Sequence, residues 1–272
     1  MDYLEFYSLR EHPFSNVVDS RFYYNSDQQS HAVLKLKHAI DARRGLSVVI
    51  GDIGAGKTTL ARKLLAELDE NQYEAALLVI IHSSVSSDWL LKKLAIQLGV
   101  ENPGGSKIEL LGQIYSRLQE VHEQGKTAVV LMDEVQMLKS REIMEDFRGL
   151  LNMEIADGKM LNLIFFGLGD MEEVLSLDEP LKQRVSMRIR LTALSEEDTG
   201  NYILHRLEVA GAPQGLFTDE ALSGIYKYSQ GLPRLVNTIC DNALLEGFLF
   251  KSASVDENIT KAVAIDLGLN GN

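Results

Sequence analysis

The chain has 272 residues, with 39 Asp and Glu against 27 Lys and Arg, for a formal net charge of −12. So large an acidic excess argues against a scaffold that holds nucleic acid by charge alone, because backbone binding needs clustered cations that release counterions. A hydrophobic content of 45% and a charged content of 24% are ordinary globular values, and the length suits one large domain plus a smaller one.

The opening MDYLEFYSLREH carries acids where a secretory leader needs cations, and runs such as AALLVII are too short to span a membrane. A cytoplasmic protein is expected. Residues 1–25 are rich in aromatics, contain Pro13 and follow no period, so they read as an irregular arm packed on a body, with Phe14, Phe22 and Tyr23 suited to burial. From Ser26, Ala32, Leu34, Leu36, Ala39 and Ile40 share broadly one helix face, and Gly45 ends it. LSVVIG (46–51) is a short strand and KTTLARKLLAELDE (57–70) a helix. YEAALLVIIHS (73–83) is a second strand, followed by helices over 86–100 and 107–125. TAVVLMDE (127–134) is the third strand, 140–158 a helix, MLNLIFFGLG (160–169) the fourth strand and SMRIRL (186–191) the fifth. Near-continuous apolar strands alternating with helices predict an α/β fold with a five-stranded parallel sheet covered on both faces, whose function sits at the strands' carboxyl ends.

From Ser195 the pattern is helical only. Ser195 with Asp198 opens a capping-box-like start, Thr218 caps the next helix, and Cys240, the single cysteine, sits among apolar residues at helical spacing as a buried small hydrophobe.

The motif with the sharpest chemistry is GDIGAGKTT, a G-x-x-x-x-G-K-T between a predicted strand and a predicted helix. Gly51, Gly54 and Gly56 let the backbone of Gly51, Asp52, Ile53, Gly54, Ala55, Gly56, Lys57, Thr58 and Thr59 curl so that N–H groups and the helix N-terminus face phosphate oxygens. Lys57 then bridges the β- and γ-phosphates of ATP, and Thr58 offers its hydroxyl to Mg²⁺. AVVLMDE supplies the complement: Asp133 for Mg²⁺ through water, and Glu134 as general base for an attacking water.

Phosphoryl transfer also needs positive charge on the transferring group, which an arginine supplied from elsewhere can provide. LKQRVSMRIRL (181–191) offers Arg184, Arg188 and Arg190. Alternation along a strand with a surface carboxylate partner suffices for Arg190.

Five stretches together resemble the ExeA/GspA-type AAA+ ATPases: FYSLREHPFSNVVDSRFYYNSDQQSHAVLKLKHAI, VVIGDIGAGKTTLARKLL, VVLMDEVQML, FFGLGDMEEVL with LKQRV, and GLPRLVNTICDNALL. That family serves type II secretion and type IV pilus systems and is similar to transposition ATPases of the TnsC and MuB kind. The resemblance implies a P-loop AAA+ domain with its N-terminal arm over 1–192 and a small all-helical lid over 193–272. It implies Arg184 as a finger that reaches the next subunit's site, with Arg188 as second choice, and Arg234 of GLPR as sensor 2. It also implies a nucleotide-dependent oligomer, with a ring among its forms, acting on a protein partner in secretion or pilus assembly.

Two departures bear on turnover rather than binding. Relatives commonly carry a polar residue where this chain has Leu168, and often an asparagine after the second strand, where this chain has IHSS. His82 is the candidate there to restrain Glu134. Two other functions remain open: a DNA-associated ATPase of transposition-regulator type, for which only Lys35, Lys37, Arg43 and Arg44 offer a basic surface, and a slow nucleotide-dependent assembly switch.

Overall fold

The apolar runs of the sequence become the inner strands of one parallel sheet. The computed structural model describes residues 2–269. In chain order it has α1 (Tyr3–Phe6), α2 (Asp27–Asp41), β1 (Leu46–Gly51), α3 (Lys57–Glu67), β2 (Tyr73–Val79), α4 (Ser87–Gln97), α5 (Lys107–Glu123) and β3 (Thr127–Asp133). Then come α6 (Arg141–Leu150), β4 (Glu154–Ile155), β5 (Gly158–Lys159), β6 (Leu161–Gly167), α7 (Met171–Leu175), α8 (Glu179–Lys182) and β7 (Val185–Leu191). Four helices follow: α9 (Glu196–Val209), α10 (Asp219–Ser229), α11 (Pro233–Leu249) and α12 (Glu257–Asp266).

The sheet has the order β2-β3-β6-β1-β7 with every pairing parallel. Residues β1, β3 and β6 are buried throughout, which is why those strands read as continuous apolar runs. One face, with Val48, Val130, Leu163 and Phe165, packs on α4, α5 and α6 through Leu94, Ile114 and Phe147. The opposite face is covered by α3, which contacts β1, β2, β3 and β6. β7, at the edge, alternates half-buried and exposed residues, matching the alternation of SMRIRL.

The chain forms two compact units: Asp27–Ile53 with Lys57–Leu191, and the chain up to Ser26 with Gly54–Gly56 and the chain from Thr192 onward. The arm thus shares a core with the helices, where the sequence reading joined it to the nucleotide domain. Tyr7, Leu9, Phe14 and Phe22 are buried with Ile203, Leu207, Phe217 and Ile239. Its aromatics need apolar cover, and Arg206 of α9 supplies donors to its backbone, reaching the Pro13 carbonyl at 2.5 Å and that of Ser15 at 2.8 Å. Cys240 is fully buried in the same core, and burial pushes its thiol well above the ordinary range.

The other differences are local. The helix expected over 140–158 ends at Leu150, and residues 154–159 form the β4–β5 hairpin. Gly158, at φ 131°, lets that hairpin lie on Arg43, whose Cβ would be 2.8 Å from a Cβ added there. β2 ends at Val79 rather than at 83, although the Ile80 amide still donates to the Asp133 carbonyl at 3.0 Å.

Candidate active site

The chain runs from β1 to the far edge strand β2 and returns through β3 and β6 to lie beside β1, so the carboxyl ends of β1, β3 and β6 form a switch point where a ligand crevice opens. Three segments named from the sequence meet there. The loop after β1 turns through Gly54 (φ 81°) and Gly56 (φ 95°), a backbone that side chains with a Cβ adopt only with strain. Gly51 and Ala55 are buried, Asp52 and Ile53 are exposed, and Thr59 is half-buried in the first turn of α3.

Lys57 is 6% exposed, and its ammonium donates to the carbonyls of Gly51 and Asp52, each at 2.9 Å. The cation is therefore held over the loop rather than extended into solvent. Thr58 Oγ1 donates to Asp133 Oδ2 at 2.5 Å, which ties the glycine loop's helix to the end of β3. Asp133, 1% exposed, also accepts from the Glu134 amide at 2.9 Å. Burial holds its carboxyl above the ordinary carboxylate range, partly offset by the hydrogen bonds from Thr58 and the Glu134 amide.

Glu134 stands in the left-handed region at φ 61° and ψ 35°. A glutamate pays about 1 kcal/mol or more for that conformation, and such strain collects where a side chain is aimed for chemistry. The turn directs its carboxylate to Gln136, whose Nε2 donates to Glu134 Oε2 at 2.5 Å. Gln136 Oε1 accepts in turn from the Leu168 amide, at 3.2 Å, just beyond β6.

Gln136 is the functional candidate that sequence reasoning missed. A polar residue inside the apolar run VQML, two positions after an acid pair, was its only trace. His82, expected to restrain Glu134, is exposed, and its ring lies 6.1 Å from that of Trp89. The chain leaves the sheet after Val79 and carries His82 out with it, so the contact to Glu134 is made by Gln136.

Arg184 sits just before β7, in register with the start of β1: Leu46 pairs with Val185 while Gly51 pairs with Leu191. It is thus at the opposite end of the paired strands from Gly51, roughly 20 Å away along the strand at about 3.3 Å per residue. Its guanidinium donates to the Arg148 carbonyl at 3.2 Å. Arg188 makes an ion pair with Glu172, and Arg190 is exposed on the same strand. Arg234, exposed in the first turn of α11, donates its amide to the Gly54 carbonyl at 3.3 Å within the helical unit.

Residues 40–175 match the family of AAA domains. This chain belongs to the AAA family. Among curated relatives, the AAA chain is 34% identical over 250 residues to General secretion pathway protein A of Aeromonas hydrophila, covering 90% of this chain and 45% of that protein. It therefore spans less than half of that relative's length, and the ExeA/GspA-type resemblance drawn from the sequence stands. Among solved structures, the ORC2 protein of Aeropyrum pernix in its ADPNP–ADP complexes superposes with a TM-score of 0.72 at 14% identity, covering 94% of this AAA chain and 71% of that one. Cdc6p of Pyrobaculum aerophilum superposes with a TM-score of 0.68 at 19% identity, covering 89% and 67%. These two likenesses establish the α/β AAA fold. No helix among the described residues is long and apolar enough to cross a membrane.

Proposed function

We propose that the protein is an ATPase that binds Mg·ATP between its glycine loop and the acid pair of β3, and hydrolyses it at subunit interfaces of an oligomer. The work of that cycle is to assemble or remodel a protein partner of a secretion or pilus system. The observation that carries the reading is the 2.5 Å hydrogen bond from Thr58 to Asp133, which joins the two halves of a phosphate site. Kinship with General secretion pathway protein A supports the pathway.

The donor set fits magnesium: a hydroxyl and a carboxylate side by side are hard oxygen ligands, and nucleotide phosphates with water complete such a shell. Thr58 and Asp133 would hold the ion, which supplies neutralisation of phosphate charge. Lys57, already poised over the loop, exchanges its two carbonyl partners for phosphate oxygens. Glu134 takes a proton from the attacking water as the new P–O bond forms and the bond from the γ-phosphorus to the bridging oxygen breaks, leaving ADP and phosphate. Arg234 belongs to sensor 2 in this scheme. Arg184 lies too far along its own sheet to reach its own phosphates, which favours a role in a neighbour's site.

The basic stretch of α2 gives little support to a DNA-binding surface. Lys37 pairs with Glu67 at 3.6 Å, and Arg43 reaches back to the Lys126 carbonyl at 3.5 Å. The test is ATP turnover against protein concentration, with and without duplex DNA at two salt concentrations. Turnover per chain that rises with concentration and ignores DNA is the expected result. Stimulation by DNA that salt erases would favour the transposition-regulator reading instead, and nucleotide binding without turnover would favour an assembly switch.

A further inference from the structure

We propose that Gln136 is the positioning residue for Glu134, and that it ties the general base to the end of β6 through the backbone amide of Leu168. The inference rests on the ATPase reading above and deepens it.

Three observations converge on this amide side chain. Gln136 is 4% exposed, and both ends of its amide have partners. Its orientation is dictated chemically: the Leu168 N–H can only donate, so the Gln136 oxygen must face it, and this leaves the NH₂ group for the Glu134 carboxylate. The third observation is the absence of a side chain at Gly167. A Cβ there would stand 2.8 Å from Gln136 Oε1 and 2.8 Å from Met171 Sδ, so glycine leaves the space in which the amide lies against β6.

The consequence concerns Leu168. Its side chain cannot hydrogen-bond to a phosphate, but its backbone amide is coupled to the base through one intervening residue. A displacement at the carboxyl end of β6 is therefore carried to the Glu134 carboxylate without a polar side chain at position 168. The left-handed backbone of Glu134 fixes the other end, since it turns the carboxylate back toward a residue only two positions on.

The test uses the full chain and isosteric change. Gln136→Glu keeps an acceptor for the Leu168 amide but removes the donor to Glu134. Gln136→Leu removes both. Each is expected to lower kcat roughly 10- to 100-fold, the scale of loss from a misplaced catalytic group, with KM for ATP and affinity for ADP unchanged. In a Glu134→Gln background, the same substitutions are expected to lower the residual single-turnover rate no further. A wild-type chain without turnover overturns the ATPase reading and this inference with it. Turnover in wild type with an undiminished kcat in Gln136→Glu overturns this inference alone. So does a loss that repeats in full when Glu134 is already replaced, because the effect would then not pass through the base.

Discussion

Asp133 and Glu134 are neighbours in sequence and differ sharply in environment. Asp133 is sealed at the end of β3 between the Thr58 hydroxyl and the Glu134 amide, whereas Glu134 is half-buried on a left-handed turn with its carboxylate against Gln136. Burial is the larger influence on Asp133 and raises its proton affinity. Between the ordinary carboxylate range and that raised value the native chain holds a proton that the unfolded chain has given up. Stability therefore falls as pH rises through that window. Asp133→Asn retains an acceptor for the Glu134 amide and can still pair with Thr58, yet carries no charge to bury. The nucleotide-free variant is expected to melt above wild type at about pH 8, and the gap should narrow as the pH falls toward the ordinary carboxylate range, where the native Asp133 takes up its proton first. Melting curves from about pH 8 down to that range check this; an Asn variant that melts lower at about pH 8 would show that the hydrogen bonds of the carboxylate outweigh its desolvation.

Helix α9 binds the arm through one buried cation. Arg206 is 6% exposed, reaches two arm carbonyls and the Tyr202 hydroxyl, and stands 4.9 Å from the centroid of the Phe22 ring. Arg206→Met keeps much of the apolar stem and loses every donor. It is expected to cost about 2–4 kcal/mol and to expose residues 1–26 to proteolysis before the rest of the chain. An arm cleaved no faster than in wild type would show that its aromatics suffice. This partnership is where the sequence was least legible. In NYILHRLEV, Arg206 resembles any solvated helix residue, and nothing local in an aperiodic arm names the surface that covers it. Strands β1, β3 and β6 were legible because burial on both faces writes a continuous apolar run ending in glycine or acid. The β4–β5 hairpin, α7 and α8 were not, since elements of two to five residues are too short to repeat their period. At the site, Lys57, Thr58, Asp133 and Glu134 were legible from spacing, whereas Gln136 became visible only when the chain brought β6 beside β3.

At the scale of the whole molecule, one sheet carries two ends of what we propose is a shared site. The carboxyl ends of β1 and β3 supply Lys57, Thr58, Asp133 and Glu134, while Arg184 stands at the amino end of β7. Parallel pairing of β7 with β1 makes this separation unavoidable within one chain, because Arg184 precedes a strand whose far end aligns with Gly51. A head-to-tail contact between copies brings unlike ends together, and such a contact generates rings or filaments. Arg184→Ala should therefore bind ATP nearly as wild type does and hydrolyse none. Glu134→Gln should also bind ATP, and should keep only a trace single-turnover rate because the base is gone. Mixed in equal amounts, the two variants assemble at random, and about one interface in four joins an intact Glu134 to a neighbour's intact Arg184. Turnover in the mixture is expected to recover to about a quarter of the wild-type rate, far above that of either variant alone. An Arg184→Ala chain with normal turnover would remove the residue from the site altogether. A mixture that co-assembles yet stays inactive would show that Arg184 serves the chain that carries it, in a conformation that moves it far from the amino end of β7.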